Sequence, residues 1–165
     1  MISLAAVNTM TSEQFVTTFG DVAEHSPWVA EQAFKQAPFS SRDHLVASFE
    51  AALNAADAAA QLALIRAHPD LATKARLTAD STNEQKGAGL DTLSSSEFAH
   101  FTSLNDAYKS KFGFPFIFAV KGATKQQILE SFEARVGNTR EQEFAMALTQ
   151  VMRIFRFRLE DRVSP

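Results

Sequence analysis

The chain has 165 residues, of which 45% are hydrophobic and 21% charged, a composition typical of one soluble globular domain with a sizeable core. It contains no cysteine, which excludes disulfide bonds, thiolate metal sites and a cysteine nucleophile. Its net charge of -3 argues against a general nucleic-acid-binding protein, which should be basic.

The first residues, 1–7, contain no basic side chain and no long apolar run, so they do not predict a signal peptide. The longest apolar run, residues 114–120, is much too short to span a bilayer. We therefore expect a cytoplasmic protein that has neither a membrane nor a nucleic acid as a partner.

Capping residues predict a succession of helices in the first half of the chain. Thr11 and Gln14 form a capping-box pattern, and the helix that follows should run to about Ala23. Further helices are predicted after Ser26, after Ser40 or Ser41, and twice within the alanine-rich stretch 51–64, with a break near residues 54–57.

The last of these helices should end near His68, because Pro69 disfavours the α conformation in the residue before it. An imidazole titrates close to neutral pH, which suits it to proton transfer. The hexapeptide around His68 fits a capping histidine equally well, so these residues alone leave both interpretations open.

The second half begins with a less regular connection from Leu71 to Asp80. Ser81 and Glu84 then form a capping-box pattern, and two nearby glycines should keep the helix short. That pattern serves a helix start as well as a polar binding stretch. Three longer helices are predicted after it, beginning near Ser94, Thr124 and Thr139 and ending near Phe112, Val136 and Arg162.

Residues 114–120 are apolar on both faces, and Pro115 forces Phe114 to be extended. Since the chain offers no second strand to pair with this run, we predict a buried extended segment inside an all-α protein. Its backbone groups need partners. Neighbouring helices and a polar ligand in a cavity are both possible partners.

The last predicted helix carries an apolar stripe that includes Phe144, Val151 and Phe155 and continues into Arg158. Such an arginine is either a helix-end charge or an anchor for an anionic group. A second stripe contains Met146, Gln150, Arg153 and Phe157 and is a candidate surface for a partner subunit. His68 and Asp70 form an HxD pair, but the other histidines lack ligand spacing around it, so no metal site is predicted.

Three motifs, in this order and spacing, resemble the 2-oxo-4-hydroxy-4-carboxy-5-ureidoimidazoline (OHCU) decarboxylase family. They are His68-Pro69-Asp70-Leu71-Ala72, Ser81-x-x-Glu84-Gln85-x-x-Ala88-Gly89-Leu90 and Phe112-Gly113-Phe114-Pro115-Phe116-Ile117. The resemblance extends from about Thr11 to Leu159. Thr73 and Ala37 depart from the commonest family pattern, which has glycine and arginine at these positions.

The resemblance implies one all-α domain of about eight helices over residues 1–165, a homodimer, and a carboxy-lyase that needs no cofactor. The reaction would convert OHCU to S-allantoin and carbon dioxide during urate degradation. Carried over residue by residue, His68 matches the catalytic histidine and Glu84 the essential carboxylate. The implied substrate contacts are Pro69, Ser81, Glu84, Gln85, Phe116, Ile117, Phe118, Ala119, Val120 and Arg158.

Two other functions are compatible with the same residues. One is a catalytically inactive helical module that presents the stripe containing Met146 and Phe157 to a partner protein. The other is a lyase that acts on a related ureido or imidazoline acid. Retention of His68, Glu84 and Arg158 argues against the inactive module, and side-by-side turnover of the substrates would separate the two enzymes.

Overall fold

Helices make up the regular structure of the computed structural model, which describes residues 1–72 and 79–165. Within these residues there are nine helices and no β-strand, so the all-α prediction is confirmed. The helices are α1 (Leu4–Val7), α2 (Ser12–Phe19), α3 (Trp28–Phe34), α4 (Arg42–Ala55), α5 (Ala58–Ala67), α6 (Ala79–Gly87), α7 (Ser95–Phe112), α8 (Lys125–Val136) and α9 (Arg140–Arg162).

Local capping chemistry accounts for most of the helix starts. Thr11, Ser94 and Thr124 each accept a hydrogen bond from the third residue of the helix that follows, and that residue's side chain bonds back to the cap. These reciprocal bonds satisfy backbone donors that a helix start leaves unpaired. The break in the alanine-rich stretch also lies where it was predicted, between α4 and α5.

Three local predictions were wrong or incomplete. The short helix α1 was not predicted, and α2 ends at Phe19 rather than near Ala23. Ser81 is the third residue of α6 rather than the cap before it. Most of the connection predicted between Leu71 and Asp80, including Thr73, lies outside the described residues.

The chain forms two compact units. The first contains residues 1–67 and 151–165, and phenylalanines dominate its core. The ring of Phe15 lies 5.0 Å from that of Phe19 and 5.7 Å from that of Phe39. The two ends of the chain meet here, because the backbones of Ile2 and Val163 form an isolated parallel bridge.

The second unit contains residues 68–150, which include α6, α7, α8 and the first part of α9. Its core is built around Tyr108, which packs against the rings of Phe112, Phe116 and Phe132. The division into two units leaves the single-domain interpretation of residues 1–165 as a prediction. No helix in the described ranges is both long and apolar enough to cross a bilayer.

Candidate active site

His68 directly follows α5, as the position of Pro69 predicted. Its side chain is buried, with only 7% of the residue exposed to solvent. A buried imidazole at the end of a helix is held in one place and is shielded from bulk water. Both properties suit a group that transfers a proton to a bound molecule.

The peptide group that joins Leu71 to Ala72 is fixed at both of its ends. Asn105 of α7 donates from Nδ2 to the carbonyl oxygen of Leu71 at 2.9 Å. The amide of Ala72 donates to Oε1 of Gln85 at 3.0 Å. Two side chains from different helices therefore set the orientation of one peptide plane, three residues after His68.

The sequence-predicted polar residues of α6 lie along one face of that helix. Ser81 and Gln85 are buried, and Glu84 is partly exposed between them. Because positions i, i+3 and i+4 of a helix share a face, Ser81, Glu84 and Gln85 form one stripe on α6. The bond from Gln85 to Ala72 thus links the stripe to the turn that follows His68.

The same bond narrows the predicted role of Gln85. Its carbonyl oxygen already accepts from Ala72, and its Nε2 amide is the donor group that it can offer to a ligand.

The run predicted to be buried and extended, residues 114–120, contains neither helix nor strand. Its side chains are buried except for that of Phe118, which is partly exposed. The carbonyl of Ile117 accepts from Nη1 of Arg135 at 2.7 Å, and the amide of Ala119 donates to Oε1 of Gln150 at 2.9 Å. Bonding to neighbouring helices, one of the two alternatives for this segment, therefore accounts for part of its backbone.

These two bonds leave a different edge for a ligand. In an extended chain the backbone groups of alternate residues point to the same side, so those of Ile117 and Ala119 share an edge. By the same alternation, the backbone groups of Phe116, Phe118 and Val120 are expected on the opposite edge. Residues 116–120 were all predicted substrate contacts. Phe118 is the one of these three that is partly exposed, which makes it the candidate to present a donor and an acceptor together.

A buried polar cluster contacts this segment through Arg135. Glu143 accepts from Nε of Arg135 at 2.8 Å, from the hydroxyl of Tyr108 at 2.6 Å and from Asn138 at 3.0 Å. The Arg135 guanidinium also lies 4.3 Å from the ring centre of Phe116. Burial, with the bond to Glu143 second, raises the pKa of Tyr108 far above its ordinary value.

Sequence reasoning assigned no supporting role to Arg135, Gln150, Asn105 or Glu143. Arg135 and Gln150 bond to the backbone of predicted site residues, Asn105 bonds to the turn after His68, and Glu143 bonds to Arg135. Gln150 was named as part of a candidate surface for a partner subunit. Its side chain is buried and accepts from the amide of Ala119, while the partner surface itself stays a prediction. The available signal was polarity at helix positions that face inward, but the sequence did not show which positions those were.

Arg158 lies in the unit formed by residues 1–67 and 151–165, and it is only 3% exposed. Its Nη2 donates to Oε1 of Glu24 at 2.8 Å, and its Nη1 donates to the carbonyl of Val22 at 3.1 Å. The arginine is therefore not a helix-end charge in solvent. Its positive charge is compensated by a buried carboxylate, so any ligand it binds would meet a neutral pair with donor groups.

Among the described residues, no three histidine or carboxylate side chains lie close enough together to hold a metal ion. The described polar groups that could face a small molecule are an imidazole, a carboxylate, amide donors and the backbone of an extended segment. Each of these groups can bind a polar molecule, and the imidazole can also move a proton.

Comparison with known proteins gives a consistent result. The family model described as OHCU decarboxylase matches residues 8–160. The chain is 42% identical over 163 residues to a 2-oxo-4-hydroxy-4-carboxy-5-ureidoimidazoline decarboxylase of Haloferax volcanii, covering 99% of this chain and 97% of that protein. It is 41% identical over 164 residues to the protein of the same name from Halalkalicoccus jeotgali, covering 99% of this chain and 93% of that protein.

Another relative is a longer protein. The chain is 43% identical over 164 residues to the uric acid degradation bifunctional protein PucL of Bacillus subtilis, but these residues are 99% of this chain and only 33% of PucL. Among solved structures, an (S)-allantoin synthase is 33% identical with a TM-score of 0.81, covering 98% of this chain and 54% of that one. An OHCU decarboxylase solved in the presence of (S)-allantoin has a TM-score of 0.75 at 23% identity, with coverage of 93% and 98%, and supports the fold alone.

Proposed function

Because this chain belongs to the OHCU decarboxylase family, we propose that it converts OHCU to (S)-allantoin and carbon dioxide in urate degradation. The observation that carries the proposal is the family match over residues 8–160, together with relatives of the same name and nearly the same length. The resemblance noted from the three sequence motifs agrees with it.

The reaction removes the carboxylate as carbon dioxide and places a proton on the adjacent ring carbon, which bears the ureido group. The bond between the ring carbon and the carboxylate breaks, carbon dioxide leaves, and the electron pair moves into the conjugated ring as an enolate-like intermediate. The hydroxyl-bearing carbon becomes a carbonyl, and a proton must reach the neighbouring, ureido-bearing carbon from one face to give the S product. The ring itself holds the electrons, so this scheme requires no metal or other cofactor.

His68 is the proposed general acid/base. It would accept the substrate's hydroxyl proton and return a proton to the ureido-bearing ring carbon. Its burial at the end of α5 supports this role, because a fixed imidazole delivers a proton to one face only. Pro69, the next residue, is the proposed neighbouring contact.

Glu84 is the proposed carboxylate that orients the substrate or His68 through a hydrogen bond. Ser81 and Gln85, on the same face of α6, would contribute a hydroxyl and an amide donor. Since these groups lie on one helix, they would hold a small substrate in one orientation.

The extended segment and Arg158 would recognise the remaining polar groups of the substrate. The N–H and C=O of Phe118 suit a ureido or ring amide, which needs an acceptor and a donor side by side. Arg158 would donate to a carbonyl or carboxylate oxygen and stabilise developing negative charge. Because Arg158 is paired with Glu24, it would act through donors held in a fixed position rather than through a net positive charge.

The assay generates the unstable substrate in place, from urate, with urate oxidase and hydroxyisourate hydrolase. Circular dichroism then follows the build-up of (S)-allantoin with and without this protein. We expect the signal to rise rapidly only when the protein is present. Racemic product at the spontaneous rate, from a folded sample, would reject the activity, and turnover of a related ureido acid instead would reassign the substrate.

We also propose that the protein is a cytoplasmic homodimer, as the family resemblance implies. Light scattering on the purified chain should give twice the mass of one chain. A mass equal to that of a single chain would reject the dimer.

A further inference from the structure

Asn105 is a buried polar residue of α7 with no role in the proposed reaction. Only 6% of it is exposed, yet it is far from any end of its helix. Its Nδ2 donates to the carbonyl of Leu71. Its Oδ1 is also buried and has no hydrogen-bond partner among the described residues.

Burying the amide of Asn105 is unfavourable for the free energy of folding, so stability alone does not explain this residue. Taking a side-chain amide out of water opposes folding unless its donor and its acceptor find partners. The Nδ2 donor therefore does something that an apolar residue of similar size could not do. The contact it makes indicates what that is.

Asn105 and Gln85 form hydrogen bonds to the two ends of one peptide group. The carbonyl belongs to Leu71 and the N–H to Ala72, so the two bonds together fix the plane of the peptide. Ala72 has a φ of 55°, a left-handed conformation that an alanine adopts only when its surroundings impose it. The two amide side chains are those surroundings.

The turn at Ala72 is not closely packed on every side, so packing alone does not hold it in place. Ala72 lines a cavity of about 420 Å³ whose other walls include Leu90, Leu93 and Phe98. The turn therefore has room to shift into this space if a polar anchor is lost. Lys109 and Asp70 form a further link at 3.1 Å, but both are partly exposed, so that pair is weak.

We infer that Asn105 is a positioning residue, which holds the Leu71–Ala72 peptide and through it the imidazole of His68. Only Pro69 and Asp70 separate His68 from this peptide, and proline is rigid at φ. Since the connection is this short and one of its torsions is fixed, part of any rotation of the peptide plane is transmitted to the histidine. The inference rests on the proposed function, since His68 matters to turnover only if it moves the proton.

The first test is Asn105→Ala, with Ser103→Ala as the matched control at an exposed position of the same helix. Misplacement of the imidazole should lower kcat about 10- to 100-fold, while KM changes less than about threefold. The control should keep both values. A variant that keeps kcat per folded molecule and is only less stable would overturn the inference.

The second test is Asn105→Asp, which keeps the shape and changes the donor. An ionised carboxylate cannot donate to Leu71, whereas a protonated one can, and burial favours the protonated form. Activity relative to the unsubstituted protein should therefore rise as the pH is lowered. A ratio that stays constant with pH would contradict the role of the donor, and this variant decides the matter if the alanine variant does not fold.

A substrate-free readout separates this inference from the proposed activity. The imidazole resonances of His68 in an NMR spectrum should shift in Asn105→Ala. Those of His100, which is exposed on the same helix as Asn105, should not shift. If the protein lacks decarboxylase activity but the resonances shift, the proposed function fails and the positioning role stands. If the resonances do not shift, the positioning role fails whatever the activity.

Discussion

Among the described residues, two arginine–glutamate pairs are buried, one in each compact unit, and they differ in what surrounds them. Arg135 with Glu143 and Arg158 with Glu24 have the same nitrogen–oxygen distance, 2.8 Å. The side chains of both pairs are shielded, with exposures of 7% and 0% in the first and 3% and 1% in the second.

The first pair is embedded in a larger polar cluster. Glu143 also accepts from Tyr108 and Asn138, and Arg135 donates to the backbone of Ile117. The second pair binds a short connection between helices, since Arg158 also donates to Val22. A buried arginine is therefore not by itself a sign of ligand binding, and the neighbours of the pair decide its role.

The largest effect on stability is expected from Arg135→Ala. It leaves the carboxylate of Glu143 buried without its charge partner, which should lower the free energy of unfolding by about 3–5 kcal/mol. Urea denaturation measures this, with Arg153→Ala as the control because Arg153 is an exposed arginine. The control should change stability by less than about 0.5 kcal/mol, and an equally small change in Arg135→Ala would contradict the structural assignment.

Charge-neutral double variants test the functional side of the comparison. Replacing Glu24 and Arg158 together by glutamine avoids an unpaired charge but removes the proposed donor to the substrate. Since a hydrogen bond to a charged group contributes about 1.5–3 kcal/mol, KM should rise about tenfold or more.

The matched control replaces Arg135 and Glu143 together by glutamine. Its KM should stay within about threefold of that of the unsubstituted protein. The pair contacts the backbone of the segment 114–120 but is not a proposed substrate contact. Equal effects of the two double variants on KM would erase the distinction between the pairs.

A smaller effect is expected from Tyr108→Phe. Glu143 keeps Arg135 and Asn138, so the loss of one hydrogen bond should cost about 1–2 kcal/mol of unfolding free energy. A cost near zero would mean that the hydroxyl adds nothing to the cluster.

The same variant carries a pH signature. The pKa of Tyr108 is raised in the folded protein, mainly by burial, so the unfolded chain loses this proton at lower pH. Titration of Tyr108 should therefore add no pH dependence to stability below the ordinary tyrosine pKa of about 10, and stability should fall as the pH rises above it. Tyr108→Phe should flatten that fall, which denaturation at several alkaline pH values would measure; an identical slope would contradict the assignment.

The helices and the position of His68 could be predicted because their signals are local. Capping boxes lie within four residues, and Pro69 acts on its immediate neighbour. The same locality misled the prediction at Ser81, where a capping pattern lies inside α6. A local pattern cannot tell a cap from a polar face turned inward.

The supports of the site could not be predicted because their contacts are distant in sequence. Asn105 bonds to a carbonyl 34 residues away, and Arg135 bonds to one 18 residues away. An arginine in the last turn of a helix is also the ordinary complement of the helix dipole, so Arg135 gave no distinguishing signal. Packing, rather than propensity, selects these partners.

The most direct test of the account is the rate of (S)-allantoin formation by His68→Ala, measured beside His100→Ala. His100 is exposed on α7 and pairs with Glu133 at 3.2 Å, so it serves as a histidine outside the site. The account predicts that His68→Ala falls to the spontaneous rate while keeping the helical circular dichroism of the folded protein, and that His100→Ala keeps full activity. Near-normal turnover by folded His68→Ala would contradict the central claim.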